Sequence, residues 1–228
     1  MLYLIPTHLG NPDTQLLPQQ IKNVLEECDV LFAENLKTAR HFLKATGVEK
    51  KIDDFEWYEL TKDTDENELQ SFAKIIQQKK CGVVSEAGLP AVADPGAALV
   101  KIAHQKNVKV VPLTGPSSIL MALMASGMNG QSFCFHGYLP IDKMERIKKI
   151  KALELAAQKN NQAQIFIETP YRNNAMMADI LQHCEVNTLL CVAANITLSD
   201  EFIQTKKISD WKKNLPDLNK KPTVFLIG

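Results

Sequence analysis

SEAGLPAVADPG, at residues 85–96, is the stretch of sequence that decides the fold. It follows a short apolar run at residues 81–84 and precedes a segment with helical periodicity at residues 97–105. A parallel strand that ends in such a loop of small residues and then enters a helix leaves backbone N–H groups at the carboxyl edge of its sheet. Open α/β sheets bind their ligands at that edge. The stretch therefore predicts a strand–loop–helix unit with a ligand site in its loop.

A second unit of the same kind follows directly. The apolar strand predicted at residues 108–111 runs into PLTGPSS, at residues 112–118, and then into another helix. Pro116 suits the start of that helix because the φ angle of proline is already close to the helical value. Two small-residue loops on adjacent strands indicate one shared ligand crevice.

Strand-like and helix-like segments alternate through the first half of the chain. Besides the strands at 81–84 and 108–111, strands are predicted at residues 2–5, 29–33 and 56–60. Pro18 opens one predicted helix, Gly47 ends another, and Asp65 with Glu68 forms a capping box that opens a third. Strands that are apolar on both faces indicate a parallel sheet covered by helices.

The second half of the chain has a different pattern. Strands are predicted at residues 132–138, 163–168, 189–194 and 223–227, with one or two more at residues 200–209, and helices at residues 142–159 and 171–184. Strands outnumber helices here, which indicates a mixed sheet. We therefore predict an α/β protein of two domains. The N-terminal domain, residues 1–113, has a mostly parallel sheet flanked by helices, and the C-terminal domain, residues 114–228, has a mixed sheet with helices.

Composition excludes several classes of protein. Charged residues make up 23% of the chain and hydrophobic residues 45%, which is typical of a globular protein. The formal net charge is zero, so no global field attracts nucleic acid or membrane, although local basic clusters remain. The five cysteines form no CxxC pair, which favours buried free thiols, a cytoplasmic location and no metal site. No apolar run is long enough to span a bilayer, so no membrane partner is expected.

Five stretches together resemble one known family. In chain order they are LYLIPTHLGN at residues 2–11, SEAGLPAVADPG at 85–96, PLTGPSSILMALMASG at 112–127, FHGYLP at 135–140 and FIETPYR at 166–172. The chain resembles the tetrapyrrole-methylase-like (class III) S-adenosylmethionine methyltransferases, and within them the ribosomal RNA small subunit methyltransferase I branch. The resemblance implies a homodimer that holds S-adenosylmethionine in a cleft between its two domains. It also implies transfer of a methyl group to a ribose 2′-hydroxyl of ribosomal RNA.

The resemblance implies a set of cofactor-binding residues, which are Leu9, Gly10, Glu86, Ala87, Gly88, Leu89, Pro116, Ser117, Ser118, Ile167, Ala193 and Pro222. Backbone groups of residues 86–89 are expected to cradle the methionine end of the cofactor, where small residues permit close approach. Leu9 and Gly10 are expected at the cleft floor, and Ile167 and Ala193 beside the adenine. Each has a plainer structural alternative, namely a strand-to-helix turn, a helix start or a core position.

Catalysis requires little more than positioning. Methyl transfer from a sulfonium is an in-line displacement, and the enzyme mainly aligns donor and acceptor in a dry site. Among the polar residues near predicted strand ends, Glu34 and Arg172 match the family pattern and are the catalytic candidates. A basic cluster on the predicted helix 142–159 consists of Lys143, Arg146, Lys148, Lys149 and Lys151. It either contacts RNA phosphates or forms a solvated helix face.

The chain departs from the family pattern at several polar positions. AENLK at residues 33–37 stands where the branch usually has Ala-Glu-Asp-Thr-Arg, and AANITL at 193–198 replaces Ala-Arg-Glu-Leu-Thr-Lys. His8 and His136 also stand where other residues are usual. Two alternatives to an RNA methyltransferase therefore stay open. One is a methyltransferase for a small molecule such as a tetrapyrrole, and the other is a cofactor-binding protein with impaired catalysis.

Overall fold

The computed structural model describes residues 1–10 and 17–228, so Asn11 at the end of LYLIPTHLGN lies outside the described residues. The chain divides into two compact units, Met1–Ser117 and Ser118–Gly228, whereas the sequence places the boundary after residue 113. Contacts with the segment around β1 account for this difference. The N–H of Leu113 donates to the carbonyl O of Leu4 at 3.0 Å, and a Cβ on Gly115 would lie 2.1 Å from Cβ of Pro6.

The first unit contains a five-stranded sheet in which all strands are parallel. Its strands are β1 (Leu2–Ile5), β2 (Val30–Ala33), β3 (Glu56–Glu59), β4 (Cys81–Val84) and β5 (Val110–Pro112), in the order β3-β2-β4-β1-β5. Its helices are α1 (Gln20–Glu27), α2 (Leu36–Thr46), α3 (Glu66–Gln78) and α4 (Gly96–Gln105), with a 3-10 turn at Ile52–Asp54. Strands β2 and β4 are buried at every residue. The predicted parallel sheet is confirmed.

The helix limits follow the signals in the sequence. The Asp65 side chain accepts a hydrogen bond from the N–H of Glu68 at 2.9 Å, which satisfies a donor in the first turn of α3. Gly47 follows the last residue of α2 with a φ of +67°, a left-handed conformation that glycine adopts at low cost. Both predicted helix limits are confirmed.

The second unit contains a mixed sheet of five strands. Its elements are α5 (Ser118–Ser126), β6 (Phe133–Tyr138), α6 (Lys143–Asn160), β7 (Ala163–Glu168), α7 (Asn173–His183), β8 (Leu189–Ala194), β9 (Phe202–Lys207), α8 (Ile208–Trp211) and β10 (Thr223–Ile227). The strand order is β6-β7-β10-β8-β9, with β6 and β7 parallel and the remaining neighbours antiparallel. The predicted mixed sheet is confirmed. Residues 200–209 form one strand and the start of a short helix.

Polar interactions inside the second unit change one prediction. Arg146 on α6 is buried, and its Nε donates to Oδ2 of Asp179 on α7 at 2.8 Å. Its Nη1 also donates to the carbonyl O of Ile141 at 2.8 Å. Placing Arg146 in a solvent-facing basic cluster is therefore wrong, because its charge is neutralised inside the α6–α7 contact.

The cysteines carry no disulfide, and four of the five are buried. Burial raises the pKa of the Cys28 thiol to about 12, and the pKa values of Cys81 and Cys184 also rise to about 12 for the same reason. These side chains therefore stay protonated thiols at neutral pH. Within the described residues, no helix is long and apolar enough to cross a membrane, and no group of three His, Cys, Asp or Glu side chains is placed to hold a metal ion.

Candidate functional site

Three loops of the first unit meet at Gly88. This residue lies in the loop after β4 with a φ of +75°, a backbone conformation that L side chains rarely adopt. A Cβ at this position would lie 2.9 Å from Cδ2 of Leu9, in the loop after β1, and 3.2 Å from the carbonyl O of Pro116, in the loop after β5. The expectation that the two small-residue loops follow adjacent strands is wrong, because β1 lies between β4 and β5 and pairs with both. All three loops still leave the same edge of one sheet. The structure thus brings the predicted residues Leu9, Gly88 and Pro116 together.

Two buried hydroxyl groups hold this meeting point. The Oγ of Ser85 donates to the carbonyl O of Gly88 at 2.6 Å and lies 3.2 Å from Oγ1 of Thr7. The N–H of Thr7 donates to the same carbonyl at 2.9 Å. Both side chains are buried. Thr7 and Ser85 are not among the residues predicted for the site. The sequence holds a signal for both, because Thr7 is two residues after β1 and Ser85 is one residue after β4.

The rest of the β4 loop is fixed by Asp94. Its Oδ1 accepts hydrogen bonds from the N–H of Ala91 at 3.0 Å and from the N–H of Gly96 at 2.7 Å. Ala91 and Ala93 have φ angles of 66° and 55°, and a left-handed conformation costs a non-glycine residue about 1–2 kcal/mol. Such strain persists where the surroundings enforce it and is common at ligand sites. The loop is therefore held in a defined and costly shape.

Peptide groups at the tip of this loop remain for a ligand. Within the described part of the chain, the N–H groups of Ala87 and Leu89 donate to no acceptor. Glu86 and Ala87 are exposed and Leu89 is half-buried. In the neighbouring loop after β1, Gly10 has a φ of +110°. Free amides beside residues with little side-chain bulk suit an anionic or carbonyl group of a ligand that approaches the backbone closely.

Carboxylates line the same sheet edge. Glu34 follows β2, and Glu86 and Asp94 lie in the loop after β4. Burial raises the pKa of the Glu34 carboxyl, the negative charges of Asp94 and then Glu86 raise it further, and the Lys62 ammonium lowers it. The structure therefore places the catalytic candidate Glu34 within the electrostatic reach of the predicted cofactor residue Glu86.

The start of helix α2, beside Glu34, is preserved although the sequence differs from the family pattern there. Asn35 stands where the branch has aspartate, and its Oδ1 accepts hydrogen bonds from the N–H groups of Lys37 and Thr38 at 3.0 and 3.1 Å. Asparagine and aspartate are both strong N-cap residues. The change from Asp to Asn therefore preserves the start of α2 and the position of Glu34 before it.

His8 is a polar residue of this site whose environment the sequence does not predict. Its ring packs edge-on against Phe42 of α2, with the ring centroids 6.0 Å apart. Among the described residues, none offers a hydrogen-bond partner to its buried Nδ1, and burial lowers the pKa of the imidazole. The His8 ring is therefore neutral at physiological pH.

The structure places the two predicted serines at the boundary of the units. Ser117 ends the first unit and Ser118 begins α5, and both are half-buried.

In the second unit the strand register aligns two predicted adenine contacts. Ile167 of β7 pairs with Val224 of β10, and Val224 pairs with Ala193 of β8. Residues opposite one another on neighbouring strands share a face of the sheet. Ile167 is half-buried, Ala193 is fully buried, and Pro222, just before β10, is exposed. Their contacts with a cofactor stay predictions, and Ala193 has a core position here.

Arg172 forms an ion pair at the carboxyl end of β7. Its Nη2 pairs with Oε2 of Glu168, whose side chain is 1% exposed, and the other oxygen of Glu168 accepts a hydrogen bond from the N–H of Thr169 at 2.6 Å. The Arg172 side chain is about one-third exposed. Arg172 thus compensates a buried carboxylate while part of its side chain is exposed to solvent. His136 has a structural partner, since its Nε2 lies 2.7 Å from Oε1 of the buried Gln164.

The altered segment 193–198 also has a defined structure. Asn195 and Thr197 have φ angles of 52° and 75°, and asparagine tolerates the left-handed region better than most residues. The Asn195 amide donates to Oδ2 of Asp200 at 2.8 Å, and the N–H of Thr197 donates to Oε2 of Glu201 at 2.8 Å. Asn195, which replaces the glutamate of the family pattern, therefore stabilises a turn after β8, and so does Thr197, which the pattern shares.

Comparison with known proteins gives consistent results. A family profile described as Tetrapyrrole (Corrin/Porphyrin) Methylases matches residues 1–211. The ribosomal RNA small subunit methyltransferase I of Buchnera aphidicola subsp. Schizaphis graminum is 32% identical, over 100% of this chain and 77% of that relative. The protein of the same name from Vibrio cholerae is 31% identical, over 92% of this chain and 69% of that relative.

A solved structure shares the fold at lower sequence identity. The methyltransferase CobJ has a TM-score of 0.66 at 17% identity, over 100% of this chain and 93% of that chain. Identity at this level shows a common fold and leaves the substrate undetermined.

Proposed function

Since the chain belongs to the tetrapyrrole methylases and is a methyltransferase, we propose that it transfers the methyl group of S-adenosylmethionine to RNA of the small ribosomal subunit. One observation carries the choice of RNA. The relatives that are 31–32% identical over 92–100% of the chain are named ribosomal RNA small subunit methyltransferase I. Family membership confirms the resemblance that the five motifs indicate. The ribose 2′-hydroxyl is the proposed acceptor atom.

The first unit fits the proposed cofactor. The position of a Gly88 side chain is closed by Leu9 and by the carbonyl O of Pro116, so only a glycine lets the loops after β1 and β5 pack this closely against the loop after β4. The N–H groups of Ala87 and Leu89 suit the carboxylate of a methionine moiety. When bound, S-adenosylmethionine supplies an electrophilic methyl group on a sulfonium. We assign the binding of the cofactor in this unit to the loops after β1, β4 and β5.

The chain's own residues act mainly by positioning. Ser85 and Thr7 hold the Gly88 carbonyl by hydrogen bonds of 2.6 and 2.9 Å, which fixes the neighbouring amides in place. Preorganised amides need no rearrangement when the ligand arrives, so binding loses less entropy. In the second unit, Ile167, Ala193 and Pro222 are proposed contacts to the adenine end, by backbone or apolar groups.

Two residues are proposed for the chemistry. Glu34 faces solvent and has a raised pKa, which suits a carboxylate that accepts a proton from an acceptor hydroxyl. The partly exposed Arg172 side chain suits an acceptor phosphate. We further propose that the protein acts as a cytoplasmic homodimer, as the family resemblance implies.

Two measurements test the proposal. Titration calorimetry with S-adenosylmethionine should give saturable binding, and its absence at millimolar ligand would refute the cofactor assignment. Labelled cofactor should then transfer its methyl group to small ribosomal subunits from a strain that lacks the corresponding methyltransferase, with wild-type subunits as the matched control. Label in a tetrapyrrole precursor but none in RNA would favour the small-molecule alternative. Binding without transfer to either would favour an impaired enzyme.

A further inference from the structure

A basic cavity of about 580 Å³ lies beside α2 in the first unit. One wall is a row of α2 side chains, here called the α2 basic stripe, that consists of Lys37, Arg40, His41 and Lys44. The other wall is the connection at residues 48–53. Five lysine and arginine side chains and two carboxylates line the cavity, whereas the chain as a whole has a net charge of zero. Positive charge is therefore concentrated here.

The stripe follows the period of the helix. Lys37, Arg40 and Lys44 are spaced by three, four and seven residues, which places them on one helical face, and His41 lies beside Arg40. All four are exposed, while Ala39, Phe42 and Leu43 pack into the core. A rise of 1.5 Å per residue separates Lys37 and Lys44 by about 10 Å along the helix axis. An elongated anion with several charges matches this row better than a single small anion does.

The stripe is partly preorganised. The guanidinium carbon of Arg40 lies 5.4 Å from the ring centroid of Trp57, and the indole N–H donates to the carbonyl O of Ile52 at 3.0 Å. A guanidinium that stacks on an aromatic ring keeps its N–H edge for a phosphate. The Lys50 ammonium has partners within the protein, because it donates to the carbonyl O of Cys28 at 2.5 Å. We therefore leave Lys50 out of the ligand-facing group.

We propose that the α2 basic stripe binds the phosphate backbone of a single-stranded segment of the acceptor RNA. This inference rests on the proposed function, and it names the surface that holds the substrate. Lys37 is three residues after Glu34, at the start of the helix that leaves the carboxyl edge of the sheet. A strand bound along α2 would therefore run towards the edge where the cofactor loops lie. On the opposite wall Glu49 and Asp53 offset the charge of Lys51, so the net positive charge lies on the α2 side.

The test compares two triple variants of equal charge. The stripe variant is Lys37→Gln/Arg40→Gln/Lys44→Gln, and its control is Lys74→Gln/Lys101→Gln/Lys106→Gln, which removes three exposed lysines elsewhere in the first unit. Fluorescence anisotropy measures binding of a labelled single-stranded RNA of about 16 nucleotides between about 50 and 200 mM salt. The double variant Lys37→Gln/Lys44→Gln leaves the Arg40–Trp57 contact intact and covers the case in which the triple variant misfolds.

Counterion release sets the expected size of the effect. Each phosphate contact contributes about 0.7 to the slope of log affinity against log salt for a single strand. Loss of three contacts should lower the slope by about 2 and the affinity at 0.1 M salt by about 100-fold. The double variant should lose about 25-fold. The control variant should bind as the wild type does, and all variants should keep the wild-type affinity for S-adenosylmethionine.

The outcomes separate this inference from the proposed function. A stripe variant that binds RNA like the control variant overturns the inference, while methyl transfer to RNA by the wild-type protein leaves the proposed function standing. A wild-type protein that binds no RNA overturns both. A stripe variant that loses equal affinity for polyglutamate shows a site for acidic polypeptides and also overturns the inference. RNA binding that depends on the stripe, together with methyl transfer only to a tetrapyrrole, would support the stripe as an RNA-binding surface. It would refute the proposed function, because the bound RNA would not be the methyl acceptor.

Discussion

Replacement of Gly88 with alanine tests whether the meeting of three loops forms the cofactor site. A left-handed φ costs alanine about 1–2 kcal/mol, and the restriction of the unfolded chain offsets about 0.4–1 kcal/mol of this. The new Cβ would also lie 2.9 Å from Cδ2 of Leu9 and 3.2 Å from the carbonyl O of Pro116. Rotation of the Leu9 side chain away from its rotamer adds about 0.5–1.5 kcal/mol. The free energy of unfolding should fall by roughly 2 kcal/mol.

Gly47→Ala is a matched control for this variant. Gly47 has a φ of +67°, and no atom of residues 1–10 or 17–228 lies within 4 Å of the position of its Cβ. It should show the conformational cost alone, about 1 kcal/mol, and should bind S-adenosylmethionine with wild-type affinity. Gly88→Ala should bind the cofactor at least about tenfold more weakly, a loss of about 1.4 kcal/mol. Urea unfolding and titration calorimetry measure the two quantities.

Two results would refute this reasoning. Wild-type cofactor affinity in Gly88→Ala would show that the packing of the three loops at Gly88 does not shape the cofactor site. An equal loss of affinity in both variants would show that backbone strain, and not the contact with Leu9 and Pro116, weakens binding.

The ion pair and the carboxylate proposed for the chemistry give two further predictions. Arg172→Leu should lower the free energy of unfolding by about 2 kcal/mol, because it removes a charged hydrogen-bond partner from the buried Glu168 carboxylate. Arg172→Lys should restore part of this loss in urea unfolding, and unchanged stability in Arg172→Leu would contradict the prediction. A kcat that falls in Arg172→Lys beyond any change in stability would mark a direct role in transfer. Glu34 has a pKa raised above its usual value of 4.5 by burial and by Asp94 and Glu86, so its contribution favours folding below pH 4.5 and is lost as the pH rises through the folded-state pKa. Glu34→Gln should therefore be slightly more stable than the wild type at neutral pH, and the gain is small because Glu34 is exposed. Urea unfolding across pH 4–7 should show this stability difference shrinking towards the acid end. A stability difference that does not change with pH would contradict the raised pKa of Glu34.

Much of the local structure could be predicted from the sequence. The capping of α3 by Asp65, the end of α2 at Gly47 and the small-residue loop after β4 depend on residues that are close in the chain. Conformational preferences of Asp, Gly and Pro act over a few residues, so a sequence records them directly. The same holds for the α2 basic stripe, whose helical spacing is visible at residues 37–44.

Other features depend on residues far apart in the chain. The burial of Arg146 against Asp179 was not predictable from the run of basic residues around it, because helix spacing does not show which neighbour covers a face. The cavity wall opposite the α2 basic stripe and the row of Ile167, Val224 and Ala193 depend likewise on tertiary packing and strand register.

The candidate site shows the same division. By itself the sequence determined that loops of small residues follow β4 and β5, and that five stretches of the chain match a family of methyltransferases. Only the tertiary structure decided that Leu9, Gly88 and Pro116 touch, since the strand order that brings their loops to one sheet edge comes from hydrogen bonds between segments separated by tens of residues. Short-range preferences are written in neighbouring residues, whereas strand pairing depends on the burial of the whole sheet.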